Sequence, residues 1–202
     1  DFDAEYDRSI KGLYSEIIYF ISRAQAVMTP EQSDELFSLR AAGRDIVEAI
    51  KDIKHMYKNL SHYIVSDNQY IQSEYDKLRM QLGKLMRELN HVRNNGDDPV
   101  AILSLSSLKL DMDINDSTSN GKLEQLIREN KISAKMATSL MNDSSYAYDV
   151  AKNLIQMGEI LFSTSDMGMK SVEKDIALTA DEVAEIISDT SSTKEGTPHE
   201  TS

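Results

Sequence analysis

The stretch EAIKDIKHM, residues 48–56, sets Glu48 and Asp52 one helical turn apart, and DVAKNLIQM, residues 149–157, echoes it 101 positions later. Aligned, Glu48 lies over Asp149, Lys51 over Lys152, Asp52 over Asn153 and Met56 over Met157. Each copy sits inside a longer run whose apolar residues recur at three- and four-residue spacing, the pattern of one face of an amphipathic helix. Few Gly, Pro and aromatic residues and no Trp, with abundant Leu, Ile, Met, Ala, Glu and Lys, extend that preference to the whole chain. The fold class expected is all-α, in two lobes.

Working outward, the first helix spans about Asp3 to Met28 and should bury Leu13, Ile17, Phe20, Ile21, Ala24, Val27 and Met28. Thr29 then caps a second helix with Pro30 in its first position, where a missing N–H is harmless. That helix reaches about Val65 through Ile46, Ile50, Ile53 and Tyr57. A third runs through Ile71, Tyr75, Leu78, Leu82, Leu85, Leu89 and Val92 to the stop at Asn94-Asn95-Gly96. Residues 1–96 therefore read as a first three-helix bundle. Residues 97–121 read as a connector, with Asp98-Pro99 opening a short helix and Leu108, Leu110, Met112 and Ile114 alternating as an extended segment would. The second bundle, 122–188, starts with a short helix over 122–130. Ser133 caps a long helix to about Phe162 carrying Met136, Leu140, Ala147, Val150, Ala151, Leu154 and Leu161, and a final helical region spans about Met167 to Ile187. Residues 189–202 lack apolar anchors and read as a disordered tail.

Bulk properties exclude several functions. A net charge of −12 from 34 acidic and 22 basic residues lacks the basic footprint that phosphate contacts need, so nucleic acid is not an expected partner. With no cysteine there is no disulfide, thiolate metal site or thiol nucleophile. The longest apolar run, IIYFI at 17–21, falls far short of the ~18 residues a membrane span requires. The chain opens at Asp1 without a signal-like sequence and reads as part of a longer protein.

On a wheel of ~100° per residue, Asp45, Glu48, Asp52, His55, Asn59 and His62 form one stripe opposite Ile46, Ile50, Ile53 and Tyr57, so the acids are expected to face outward. Asn142, Tyr146, Asp149 and Asn153 form a comparable flank on the later helix. Carboxylates at i and i+4 can share a hard cation through oxygen, and His55 could add a nitrogen ligand. The plainer reading is a solvated face, neutralised by Lys51, Lys54 and Lys58. Glu88-x-x-His91 and Asp52-x-x-His55 have the acid-x-x-His spacing of di-iron bundles, but Glu88 and His91 lie away from the Leu78, Leu85, Leu89 stripe.

The runs LRAAGRDIVEAIKDIKHMYKNLSHYIVSDN (39–68), EYDKLRMQLGKLMREL (74–89) and KISAKMATSLMNDSSYAYDVAKNLI (131–155) resemble the cytoplasmic PhoU-like region of bacterial sodium/phosphate cotransporter proteins. TSLMNDS (138–144) and the VEAIKDIKH helix are the most distinctive parts. The resemblance implies two tandem three-helix bundles related by internal duplication, and surface metal sites built on an acid-x-x-x-Asp motif. Glu48 and Asp52 fit that motif; Asp149 fits its first position, while Asn153 departs from the second. The implied metal ligands are Glu48, Asp52, Asp149 and His55, for a divalent or trivalent ion such as iron, manganese, zinc or magnesium.

The resemblance further implies a non-enzymatic regulatory domain on the cytoplasmic face of the inner membrane. Its partners would be the membrane domain of its own chain, other phosphate-uptake or signalling proteins, and a second copy in a homo-oligomer. The rival readings are a metal-dependent helical-bundle enzyme and a purely structural or oligomerisation bundle.

Overall fold

Every regular element in the computed structural model is a helix among the described residues, which are 2–95, 103–105, 107–109 and 121–162. Helix α1, Phe2–Glu5, passes through a π-helical stretch, Tyr6–Lys11, into α2, Gly12–Ala24, which closes in a 3-10 turn at Gln25–Val27. The long elements are α3 (Pro30–Tyr63), α4 (Gln69–Asn94) and α6 (Ala134–Phe162), with the short α5 at 121–128. The expected final helix at 167–187 and tail at 189–202 lie outside the described residues, as do Asp98-Pro99, Leu110, Met112 and Ile114.

Local chemistry fixes the helix ends. The Thr29 hydroxyl accepts from the Gln32 amide at 3.3 Å while the Gln32 side chain accepts from the Thr29 amide at 3.1 Å, a reciprocal capping box followed by Pro30. At the head of α4 the Asn68 side-chain oxygen accepts from the amides of Tyr70 and Ile71 at 3.0 and 3.3 Å. The same side chain donates through Nδ2 to the Lys131 carbonyl at 2.8 Å, joining the α3–α4 turn to the α5–α6 turn. In the second turn Asn130 takes a left-handed backbone (φ 53°), so that the Lys131 amide reaches the Leu126 carbonyl and the Asn130 amide reaches that of Ile127. Ser133 then caps α6 through the Met136 amide.

Helix α6 lies against both α3 and α4, whereas α3 and α4 meet chiefly near their shared turn. Met56, Tyr63, Ile71, Tyr75 and Leu78 from the first half therefore share one apolar cluster with Leu126, Ile132, Ala137, Leu140 and Ala147 from the second. A second cluster joins Leu85, Leu89 and Val92 of α4 to Ala151 and Ile155 of α6. Leu105 and Leu108 complete it from helical turns at 103–105 and 107–109, which corrects the extended reading at Leu108: i, i+3 spacing puts both on one buried face.

Two further expectations are corrected. On α2 only Ile21 is buried; Leu13 (57% exposed), Ile17, Phe20 (67%) and the following Val27 are open, because α2 leans on α3 through Tyr14, as the π-helical stretch before it does through Tyr6. On α3 the buried residues are Ala42, Asp45, Ala49, Met56 and Tyr63, while Ile46, Ile50 and Ile53 are half-buried and Tyr57 is exposed. The alanines let α6 approach closely, so the stripe expected to face solvent is the one it covers.

Two glycines in helix interiors make opposite predictions. A Cβ at Gly83 would meet only the Arg87 guanidinium at 3.6 Å, so Gly83→Ala should stabilise by about 0.5–1 kcal/mol through helix propensity. At Gly158 a Cβ would stand 2.8 Å from Leu89 and 3.1 Å from the buried Leu105, and Gly158→Ala should lower stability instead. Urea unfolding of the two variants checks the opposite signs.

Candidate functional site

The polar stripe of α3 and the flank of α6 form one seam. His55 stacks on Tyr146 with ring centroids 5.2 Å apart and planes 23° from parallel. One turn away Asp52 stands close enough to Asp149 to feel its charge, and on the other side the Asn59 side chain hydrogen-bonds Asp143. Together these contacts define an antiparallel register. Because the two echoing segments meet antiparallel, the first acid of the later motif, Asp149, lies beside the second acid of the earlier one, Asp52, and the same register brings Asn153 level with Glu48. The sequence echo is thus a self-complementary contact in space.

The Asp52 carboxyl is pushed up from its ordinary 3.8 to about 6, first by burial and then by repulsion from Asp149 and Glu48, with His55 and Lys51 partly offsetting them. Glu48 is held by Lys51 at 3.2 Å. The π-helical stretch adds Tyr6, whose ring lies 4.9 Å from the Lys54 ammonium and whose hydroxyl feels Lys51 and Glu48. Burial is the main cause that raises the Tyr6 hydroxyl above its usual value. Expected ligands Glu48, Asp52 and Asp149 are therefore neighbours, and His55 adjoins them while its ring is engaged by Tyr146. Among the described residues, no three His, Asp or Glu side chains converge into a ready-made metal-holding group.

Correcting the outward-facing expectation, Asp45 is buried at 4% exposure and Glu48, Asp52, Asn59, Tyr146, Asp149 and Asn153 are half-buried, whereas His55, His62 and Asn142 remain exposed. The wheel had ranked faces by hydrophobicity alone, and α6 selected the face with small residues and a matching polar flank. Glu88 and His91 have local partners: Glu88 accepts from the Ser104 hydroxyl, and His91 faces Asn95.

The residue most deeply committed to the seam is one the spacing argument passed over. Asp143, 1% exposed, accepts from the Tyr75 hydroxyl of α4 at 2.6 Å and is hydrogen-bonded by the Asn59 side chain of α3. Burial raises its carboxyl above the ordinary range, and the two hydrogen bonds restrain the rise; burial and the bond to Asp143 also push the Tyr75 hydroxyl up. The signal was present, since Asp143 sits between Leu140 and Ala147 on the apolar stripe, where an acid must find partners.

Compared with protein-family models, with curated proteins and with solved structures, the chain matches none.

Two predictions follow from the carboxylates. Tyr75→Phe removes a donor from a buried carboxylate and should destabilise by about 1–3 kcal/mol near pH 8, with a smaller loss near pH 5, where more Asp143 is protonated. Equal losses at both pH values in chemical denaturation would exclude this account. For Asp52, whose folded value is raised, the folded state holds the extra proton between 3.8 and about 6, so its contribution is full below that window and lost as pH rises through it. Asp52→Asn should therefore match the parent near pH 4 and exceed it above pH 6 by about 1 kcal/mol, a figure discounted for partial solvent screening.

Proposed function

We propose that this chain is a non-enzymatic, PhoU-like regulatory domain of a sodium-dependent phosphate transporter, in which the α3–α6 seam responds to cations. The observation that carries the reading is the seam itself, where Asp52 stands against Glu48 and Asp149 across two helices that repeat one motif. A cation there relieves the repulsion that adds to burial in raising Asp52, and so favours the closely packed arrangement of α3 on α6. Relief of that kind is a differential interaction, which a ligand needs to shift a conformational equilibrium.

The duplicated architecture belongs to the same proposal. In it α3 and α6 are the equivalent long helices of two three-helix units, one within 1–96 and one within 122–188, and the antiparallel meeting of EAIKD with DVAKN is the contact a local two-fold relation would produce. The family resemblance supplies the setting: the cytoplasmic face of the membrane, with the transporter's membrane domain as partner. The described helices include none long and apolar enough to cross a membrane.

The ion in this proposal is a hard one that draws the neighbouring carboxylates of Glu48, Asp52 and Asp149 together on binding, with His55 beside them as the nitrogen donor. Thermal unfolding of the chelator-treated protein, titrated with manganese, iron, zinc, magnesium and calcium beside Glu48→Ala/Asp52→Ala, tests it. The expected result is a rise in Tm with at least one ion that the double variant lacks, since a ligand of the folded state alone must stabilise it. An absent or equal response in both proteins would reduce the seam to a packing surface.

A further inference from the structure

The segment that leads into α2 is wound in an uncommon way: Tyr6–Lys11 is π-helical, a form that is rare and, where it occurs, common at functional sites. Its effect is to re-aim one side chain. Tyr14 of α2 faces α3, where a Cβ on Gly43 would stand 3.7 Å from its ring. Wound back from Tyr14 at ~100° per residue, Tyr6 would point roughly 80° away from that face. The wider π turns, about 80–90° per residue, bring it back into line with Tyr14 and onto α3. There its ring centroid lies 4.9 Å from the Lys54 ammonium, and its hydroxyl lies within the fields of Lys51, Glu48 and Lys11.

We propose that the π-helical stretch is a strap over the seam: by seating Tyr6 beside Lys51 and Lys54 it holds the Lys51 ammonium against Glu48, where Lys51 serves as the resident counter-charge of the carboxylates. An entering cation must displace it. The inference rests on the reading of the seam as cation-responsive and adds the element that regulates it.

Lys51 engages both carboxylate oxygens of Glu48, at 3.2 and 3.5 Å. As a bare i, i+3 pair on one helix, with each side chain nearly half exposed, such a contact is weak and exchanges readily with water. Two features set this pair apart. The Lys51 ammonium lies within electrostatic reach of Asp52 as well, so it faces two of the three seam carboxylates, and Tyr6 approaches it from a second element. Lys54, the next cation along the same side of α3, is engaged by the Tyr6 ring through cation–π attraction, which anchors the strap one turn from Lys51. With the strap seated, a charge of the same sign as the ion stays fixed on Glu48. With the strap lifted, Lys51 moves freely and the carboxylates take an ion more readily. The strap thereby sets the ion concentration at which α3 and α6 tighten on each other.

Acetylation of lysines in the chelator-treated full-length protein, followed residue by residue by mass spectrometry, reads the strap without any ion. Lys51 should react several-fold more slowly than Lys58, an exposed lysine two turns further along α3, and Tyr6→Ala should bring the two rates together. Manganese affinity, measured by water-proton relaxation, should rise about fivefold in Lys51→Met and in Tyr6→Ala, the effect of removing or freeing one nearby like charge, and stay near the parent's in Lys58→Met. Lys51 as reactive as Lys58 in the parent, or a Lys51 rate unmoved by Tyr6→Ala, would overturn the proposal whether or not manganese binds. A gain from Lys58→Met as large as that from Lys51→Met would overturn it too. If none of these proteins binds manganese while Tyr6→Ala still exposes Lys51, the cation reading of the seam fails and the strap stands.

Discussion

Asp143 is a carboxylate in the middle of a helical core, and the arrangement of the three long helices follows from what it needs. An ionised acid at 1% exposure survives only if its oxygens are hydrogen-bonded, and the two donors come from different helices: Tyr75 on α4 and Asn59 on α3. Apolar packing alone would tolerate α6 rotated or slid by a turn against either neighbour. A buried acid with one donor on each side does not, because any slip leaves a charge without its partners. The Tyr63 ring, 4.8 Å from that of Tyr75, shields the same pair from the α3 side.

The seam beyond Asp143 repeats the theme with less burial. Ala42 and Ala49 of α3 and Ala147 and Ala151 of α6 are all buried, so the two backbones pack closely and their half-buried carboxylates have little room to diverge. Repulsion among Glu48, Asp52 and Asp149 is then a built-in opposing force at the interface that holds the first half of the chain to the second. Lys51 and the aromatic pair His55–Tyr146 border it. The interface is thereby sensitive to protonation in a way an all-leucine seam would not be.

Helix existence and type were legible in the residues, as were most ends: Thr29-Pro30, Asn94-Asn95 and Ser133 did what their chemistry dictates. The stripe of α4, from Ile71 to Val92, was equally plain, since leucines and isoleucines mark only one of its faces. On α3 both faces offer something to bury, isoleucines on one and alanines beside acids on the other. Hydrophobicity chose the first, whereas the partner helix chose the second. Pairing between helices depends on the shape and polarity of the other surface, which a single helix's periodicity does not encode. For that reason Glu48, Asp52 and Asp149 could be singled out by their echo while their mutual contact, and the role of Asp143, could not.

Asn68 has a consequence for how the protein is made. Its side chain caps α4 with one end and grips the Lys131 carbonyl, 63 positions downstream, with the other. During synthesis α3 and α4 emerge well before that carbonyl exists, and at 5–20 residues per second they wait on the order of several seconds for it. Over that interval the alanine-and-acid face of α3 has no α6 to cover it. Met56 and Tyr63 of α3 and the leucine stripe of α4 wait with it, so the first half carries a half-built apolar core until α6 arrives. The grip of Asn68 on the Lys131 carbonyl thus marks the point in synthesis at which the core of the first half can close.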